Sequence, residues 1–236
     1  MDGILEGRKD NREMEILKVQ GLKKRFTDRG EGEPVLSGAS FRLEEGTFTA
    51  LTGISGAGKT TLIHLLAGLQ EPDGGQVYLL GRDLGEMKEE ERTLFRRRHI
   101  SLVLQEGALL PGLTVEENIL LPMAMDTGRL VEEERLEQIL EALGLTRLRR
   151  RFPTRLSGGE RQRVVLGRAL LSDAEIILAD EPCARLDRRQ SLEIMGLLKE
   201  CAGTWNRTVL MATHDLDLAQ ICDQILVLRD GQIFPW

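Results

Sequence analysis

The chain is poor in aromatic side chains and in cysteine: of its 236 residues 4% are aromatic, a single one is tyrosine, and three are cysteines. Cys183, Cys201 and Cys222 are odd in number and show no C-x-x-C spacing, which argues against a disulfide framework and against a zinc site, and fits a reducing compartment. Long apolar runs are also missing. The most apolar stretches, 119–125 and 176–179, fall far short of the roughly 20 residues a helix needs to cross a bilayer, so any membrane is expected to belong to a partner. The first nine residues lack the basic segment followed by an apolar segment of a secretory signal. No basic excess is present either. A net charge of −6 argues against general nucleic-acid binding, and no nucleic-acid partner is expected.

What is there suits a globular core: 41% of residues are hydrophobic, and the length fits one large domain or a domain with a subdomain. Residues 1–12 are charged and unpatterned and read as a flexible tail, leaving 13–236 as the folded unit. Short β-branched and apolar runs over 16–22, 40–43 and 47–52 read as strands, antiparallel at first. A helix is expected over 59–67 with Gly68 just past its end. Asp73-Gly74-Gly75 reads as a turn into a strand at 76–80, and the charged stretch 88–98 as an exposed helix. A buried strand at 100–104 ends at Gln105. From there to 159 the pattern is helical, with Thr114-Val115-Glu116-Glu117 resembling a capping box and an amphipathic helix over 131–143. Strands at 175–179 and 208–212 then alternate with helices at 160–171, 188–201 and 216–222, which implies a parallel sheet in an α/β fold. A hairpin around Arg229-Asp230-Gly231 closes the pattern. The basic run 147–151 reads as a solvated helical face.

Three motifs carry chemistry. Gly53-Ile54-Ser55-Gly56-Ala57-Gly58-Lys59-Thr60 fits G-x-x-x-x-G-K-[ST], a loop whose backbone N–H groups turn toward phosphate oxygens while the lysine reaches the β/γ-phosphates and the threonine can ligate Mg²⁺. With the following Thr61 it forms a nucleotide cradle. The apolar strand 176–179 ends in Asp180-Glu181 at the carboxyl edge of the expected sheet, where Asp180 can hold Mg²⁺ and Glu181 can polarise an attacking water. Leu156-Ser157-Gly158-Gly159-Glu160 opens a helical run, which puts Ser157 and the two glycine amides at an anion-attracting helix N-terminus.

Together these residues resemble the nucleotide-binding subunit of ABC (ATP-binding cassette) transporters, since 156–162 spells the family signature LSGGERQ. The resemblance implies an α/β P-loop cassette with a RecA-like parallel-sheet core, an antiparallel β subdomain and an α-helical subdomain. The core and antiparallel portion would occupy 13–104 and 160–236, and the helical insert about 105–159. It also implies a head-to-tail pair of cassettes holding each ATP, with Mg²⁺, between the P-loop of one and Ser157, Gly158, Gly159 and Glu160 of the other. His214 matches the family's switch histidine, Gln105 the glutamine that reaches the metal or the lytic water, Phe26 the ring that stacks on adenine, and Asp187 the end of the loop that crosses to the opposite site. Cys183-Ala184-Arg185 departs from the usual residues of that loop. Catalysis would then rest on Glu181, His214, Gln105 and Lys59, and the metal on Thr60, Gln105 and Asp180.

The segments Leu109-Leu110-Pro111, Leu113-Thr114-Val115 and Glu117-Asn118-Ile119 resemble the stretch where transporter cassettes receive an integral membrane permease. Gly81-Arg82-Asp83-Leu84 and Leu94-Phe95-Arg96 look most like the lipoprotein-releasing, macrolide-export and antimicrobial-peptide-resistance branch. Such a cassette would sit on the cytoplasmic face of the membrane, bound through the permease. The alternative class is a soluble ABC ATPase of DNA repair or translation, but the chain shows no long coiled-coil insertion, zinc-binding cysteine set or second cassette.

Overall fold

The computed structural model describes residues 15–26, 34–104, 109–125 and 133–236. The expected tail at 1–12, Gln105 and the first two residues of the helix expected over 131–143 lie outside these. In chain order the elements are strands β1 (Glu15–Lys24), β2 (Leu36–Glu44) and β3 (Phe48–Thr52), helix α1 (Lys59–Leu66), strands β4 (Gly74–Leu79) and β5 (Arg82–Asp83), helix α2 (Glu89–His99), strand β6 (Ile100–Val103), helices α3 (Val115–Ala124), α4 (Glu133–Ala142) and α5 (Gly158–Leu171), strand β7 (Ile176–Asp180), helix α6 (Arg188–Gly203), strand β8 (Thr208–Ala212), helix α7 (Leu216–Ala219), and strands β9 (Gln224–Arg229) and β10 (Gln232–Pro235).

Two sheets result. A six-stranded sheet runs β10-β9-β3-β8-β7-β6, parallel from β9 to β6, and an antiparallel four-stranded sheet runs β2-β1-β4-β5. Every residue of β3, β7 and β8 is buried, because a parallel strand carries helices on one face and further structure on the other. Side chains that alternate along each strand therefore enter two different cores. Phe48, Ala50, Ile177, Ala179, Val209 and Met211 face the core built with α3, α4, α5 and α6. Leu51, Ile176, Leu178, Leu210 and Ala212 face the core built with α1, α2 and the antiparallel sheet. The two sheets meet where the β9–β10 turn reaches β2: the Ser37 N–H donates to Gly231 O at 2.8 Å, and the Ser37 hydroxyl to Asp230 O at 2.8 Å.

Both helix-start motifs close as reciprocal caps. The Glu117 N–H donates to Thr114 Oγ1 at 3.3 Å while the Thr114 N–H donates to the Glu117 carboxylate at 2.7 Å. The corresponding bonds of Ser157 and Glu160 start α5.

Some expectations are corrected. Gly74 and Gly75 lie inside β4, not in a turn before it, because β1 carries a bulge opposite them: Gly75 has φ of 84°, and a Cβ there would stand 2.4 Å from Gly21 O. The basic run 147–151 is not a helical face. It forms a 3-10 turn at Thr146–Leu148, after which Arg149 is held by Glu116, Glu133 and Glu137. The helix expected over 216–222 stops at Ala219. The exposed helix expected over 88–98 is present as α2, yet Phe95 is buried and Arg96 donates to Gly68 O at 2.9 Å.

Candidate nucleotide site

The P-loop connects the carboxyl end of β3 to α1. Gly58, the residue before the helix, has φ of 102°, and a Cβ there would stand 2.4 Å from Val35 Cγ1, so both conformation and space demand glycine. No side chain caps α1 and its first turn holds no acidic residue, which leaves helix N–H groups and the positive end of the dipole to an anion. Lys59 is buried at 7% exposure; its ammonium donates to Gly53 O at 2.9 Å and Ile54 O at 3.3 Å.

The next two strands on one side of β3, β8 and then β7, deliver the other groups. At the end of β7, Asp180 is 7% exposed and its Oδ1 has no hydrogen-bond partner among the described residues. A buried carboxylate oxygen left so is costly without a cation or donor, and a hard divalent ion fits it. Glu181 follows with φ of 47°, its N–H extending the sheet ladder to Ala212 O at 2.9 Å. Its carboxylate lies 2.9 and 3.0 Å from His214 Nδ1 and 3.9 Å from the Lys59 ammonium. Against an ionised carboxylate Nδ1 carries the proton, so the pair fixes the ring's tautomer. His214 stands at the end of β8, where the Thr213 N–H donates to Leu51 O at 3.0 Å.

Lys59, Glu181 and His214 share one cleft of about 550 Å³, lined by Phe26, Ser55, Gly56, Gly58, Thr60 and Thr61 on one side and by Ala184 on the other, while Asp180, buried beside Glu181 at the end of β7, does not itself line it. Gly53, Ile54 and Ala57 line an adjoining cavity. The remaining sequence-derived candidates lie elsewhere. Ser157, Gly158, Gly159 and Glu160 form the start of α5, where Gly159 stands against Gln190 of α6 and Gly158 against Leu186. The Glu160 carboxylate accepts from the Ser157 N–H at 2.7 Å and so caps the helix. Asp187 caps α6, accepting from the Gln190 N–H at 2.9 Å. Gln105 lies outside the described residues.

The three thiols are chemically quiet: burial pushes Cys183, Cys201 and Cys222 each up to about 12. Two polar centres that no sequence motif announces lie outside the cleft. Asn118 is fully buried, its Oδ1 accepting from the Leu110 N–H at 2.8 Å and from Arg168 at 2.9 Å. Asp173 is gripped by Arg135 at 2.8 Å and by Arg207; the Arg135 guanidinium chiefly, with Arg207, holds its carboxyl down to about 2 against the opposing effect of burial.

A glycine-rich loop entering a helix at the carboxyl edge of a parallel sheet, with a lysine, paired carboxylates and a histidine converging on it, defines a P-loop nucleotide hydrolase. The sequence model of the ABC transporter family matches residues 36–184, and the chain belongs to that family. The bacitracin export ATP-binding protein BceA of Halalkalibacterium halodurans is 34% identical over 94% of this chain and 88% of its own length. The lipoprotein-releasing system ATP-binding protein LolD of Acinetobacter baylyi is 38% identical over 92% of this chain and 96% of its own length. Among solved structures, the dimeric post-hydrolysis state of the ATP-binding cassette MJ0796, bound to ADP and Pi, superposes with a TM-score of 0.83 at 33% identity, covering 92% of this chain and 96% of that one. The fold is therefore the ABC cassette, with an α/β parallel core, an antiparallel sheet and helices, and the chain is an ATP-binding, ATP-hydrolysing cassette of the branch expected from its sequence. Among the described residues no helix is long and apolar enough to cross a membrane.

Proposed function

We propose that the chain is the ATP-driven subunit of a membrane export or extraction complex, working as a head-to-tail pair of cassettes on the cytoplasmic side of an integral membrane permease. The observation that carries the catalytic part is the convergence of Lys59, Glu181 and His214 on the P-loop cleft. Lys59 and the loop amides hold phosphate charge, and Phe26 stacks on the base. Glu181 takes the proton of the attacking water, and His214 keeps its carboxylate oriented through Nδ1. Thr60, Gln105 and Asp180 would hold Mg²⁺, which when bound withdraws charge from the phosphate oxygens. Ser157, Gly158 and Gly159 of a second copy would complete the cage and exclude water.

The division into a core at 13–104 and 160–236 and a helical insert at about 105–159 is part of this reading. So is the nature of the cargo, an amphiphile such as a lipoprotein, macrolide or peptide, which rests on likeness to cassettes named for lipoprotein release and bacitracin export. A tagged Glu181→Gln chain, extracted from native membranes in mild detergent with ATP present, tests it. A co-purifying membrane permease is expected; exclusively soluble nucleic-acid or ribosomal partners would reject the transport role and leave the ATPase.

A further inference from the structure

Phe26 follows the last residue of β1 by two positions, and its ring lines the nucleotide cleft. A ring at the end of a strand needs something to hold it, and the hold comes from the entry to β4. The Arg25 N–H, immediately before Phe26, donates to Asp73 Oδ2 at 2.6 Å. The Lys24 ammonium donates to Asp73 Oδ1 at 3.2 Å and to Glu71 O at 2.7 Å. The backbone joins in: the Asp73 N–H donates to Lys23 O at 2.9 Å, and the Val35 N–H to Lys24 O at 2.8 Å. The Lys24 side chain is 16% exposed, and its ammonium stands 5.7 Å from the centroid of the Phe26 ring. A lysine free in solvent would gain little from that ring. One tethered at both Asp73 and Glu71 has already surrendered its rotamer freedom and stays there.

We infer that Asp73 and Lys24 are positioning residues for the adenine base: Asp73 fixes the backbone turn that aims Phe26 into the cleft, and Lys24, held over one face of the ring, keeps the opposite face presented for stacking. Phosphate recognition by the P-loop is untouched by this pair, so it governs affinity for the base alone. The same bonds, the Arg25 N–H first and the Lys24 ammonium second, hold the Asp73 carboxyl below the usual range. The inference rests on Phe26 being the base-stacking ring.

The test compares ATP with inorganic tripolyphosphate, a ligand without a base, both bound to the full chain in the presence of a chelator to prevent turnover. Asp73→Asn and Lys24→Met are expected to weaken ATP binding about three- to tenfold and to leave tripolyphosphate binding unchanged, with Lys24→Arg restoring most of the loss. An equal loss for both ligands would assign the pair to general folding and overturn the inference. Phe26→Ala separates the two levels. If it weakens ATP binding while Asp73→Asn and Lys24→Met do not, the positioning role is wrong and the stacking role stands. If Phe26→Ala itself leaves ATP binding unchanged, the stacking reading fails and the inference with it.

Discussion

Glu181 holds a left-handed backbone conformation, φ of 47°, that glutamate ordinarily avoids at a cost of order 1–3 kcal/mol. The surroundings impose it: its N–H is committed to Ala212 O, its carbonyl accepts from the Ala184 N–H at 3.2 Å, and its carboxylate is bound to His214. In its proposed role as base, a carboxylate held this way would reach its substrate without reorganising. Glu181→Gln is expected to keep ATP binding and lower turnover about 10²- to 10⁴-fold in a single-turnover assay, whereas His214→Ala, which frees a carboxylate that is still present, is expected to lower it less, by about 10- to 100-fold. Equal losses would place His214 in the chemistry itself. At this scale the sequence was most legible, because Lys59, Thr60, Asp180 and Glu181 lie in short motifs whose geometry is set by neighbours in the chain. Glu160 shows the limit of motif reading: the motif suggested a ligand contact and gave no sign of the capping bond to Ser157, which became visible only with the start of α5 in place.

Among elements, the region around α3 and α5 is organised by polar groups that no local pattern announces. Asn118 and Arg168 meet across 50 positions of sequence, and Arg135 and Asp173 across 38, so neither pairing could be read from spacing. Asn118 also donates to Leu113 O at 3.0 Å and Thr114 O at 2.9 Å, shaping the segment that leads into α3. Asn118→Leu would strand these partners in a buried site, and a loss of about 2–4 kcal/mol in urea denaturation is expected. Asp173 ties α4 to the start of β8 through Arg135 and Arg207. Its folded-state carboxyl is depressed to about 2 from an ordinary 3.8, so its contribution is fully present above about 4 and is lost as pH falls toward 2. The side chain is 34% exposed, and solvent screening limits the effect: Asp173→Asn is expected to cost about 1 kcal/mol at pH 7, with the gap from wild type narrowing between about pH 4 and 2. A gap constant down to pH 2 would show that the two arginines do not stabilise the ionised form. Strand and helix identities were legible from periodicity. The ends were less so, as at Gly74–Gly75 and after Ala219, because a bulge set by the partner strand and the packing of a short helix are tertiary events.

For the whole molecule, the decisive fact is that one chain carries two glycine-rich helix starts that do not share a cleft. The first belongs to α1 and the P-loop. The second, at Ser157, heads α5 against α6 and takes no part in lining the cleft of Lys59, Glu181 and His214. In the proposed two-fold pair of chains, the second of each would meet the first of the other and both sites would close at once. The measurement that tests this most directly is the mass of the Glu181→Gln chain in solution with saturating ATP, by sedimentation, alone and combined with Ser157→Arg. The composite-site reading requires a shift from the mass of one chain to that of two when ATP is added, and loss of that shift with Ser157→Arg although each chain still binds ATP. A Glu181→Gln chain that binds ATP fully and stays at the mass of one would contradict it.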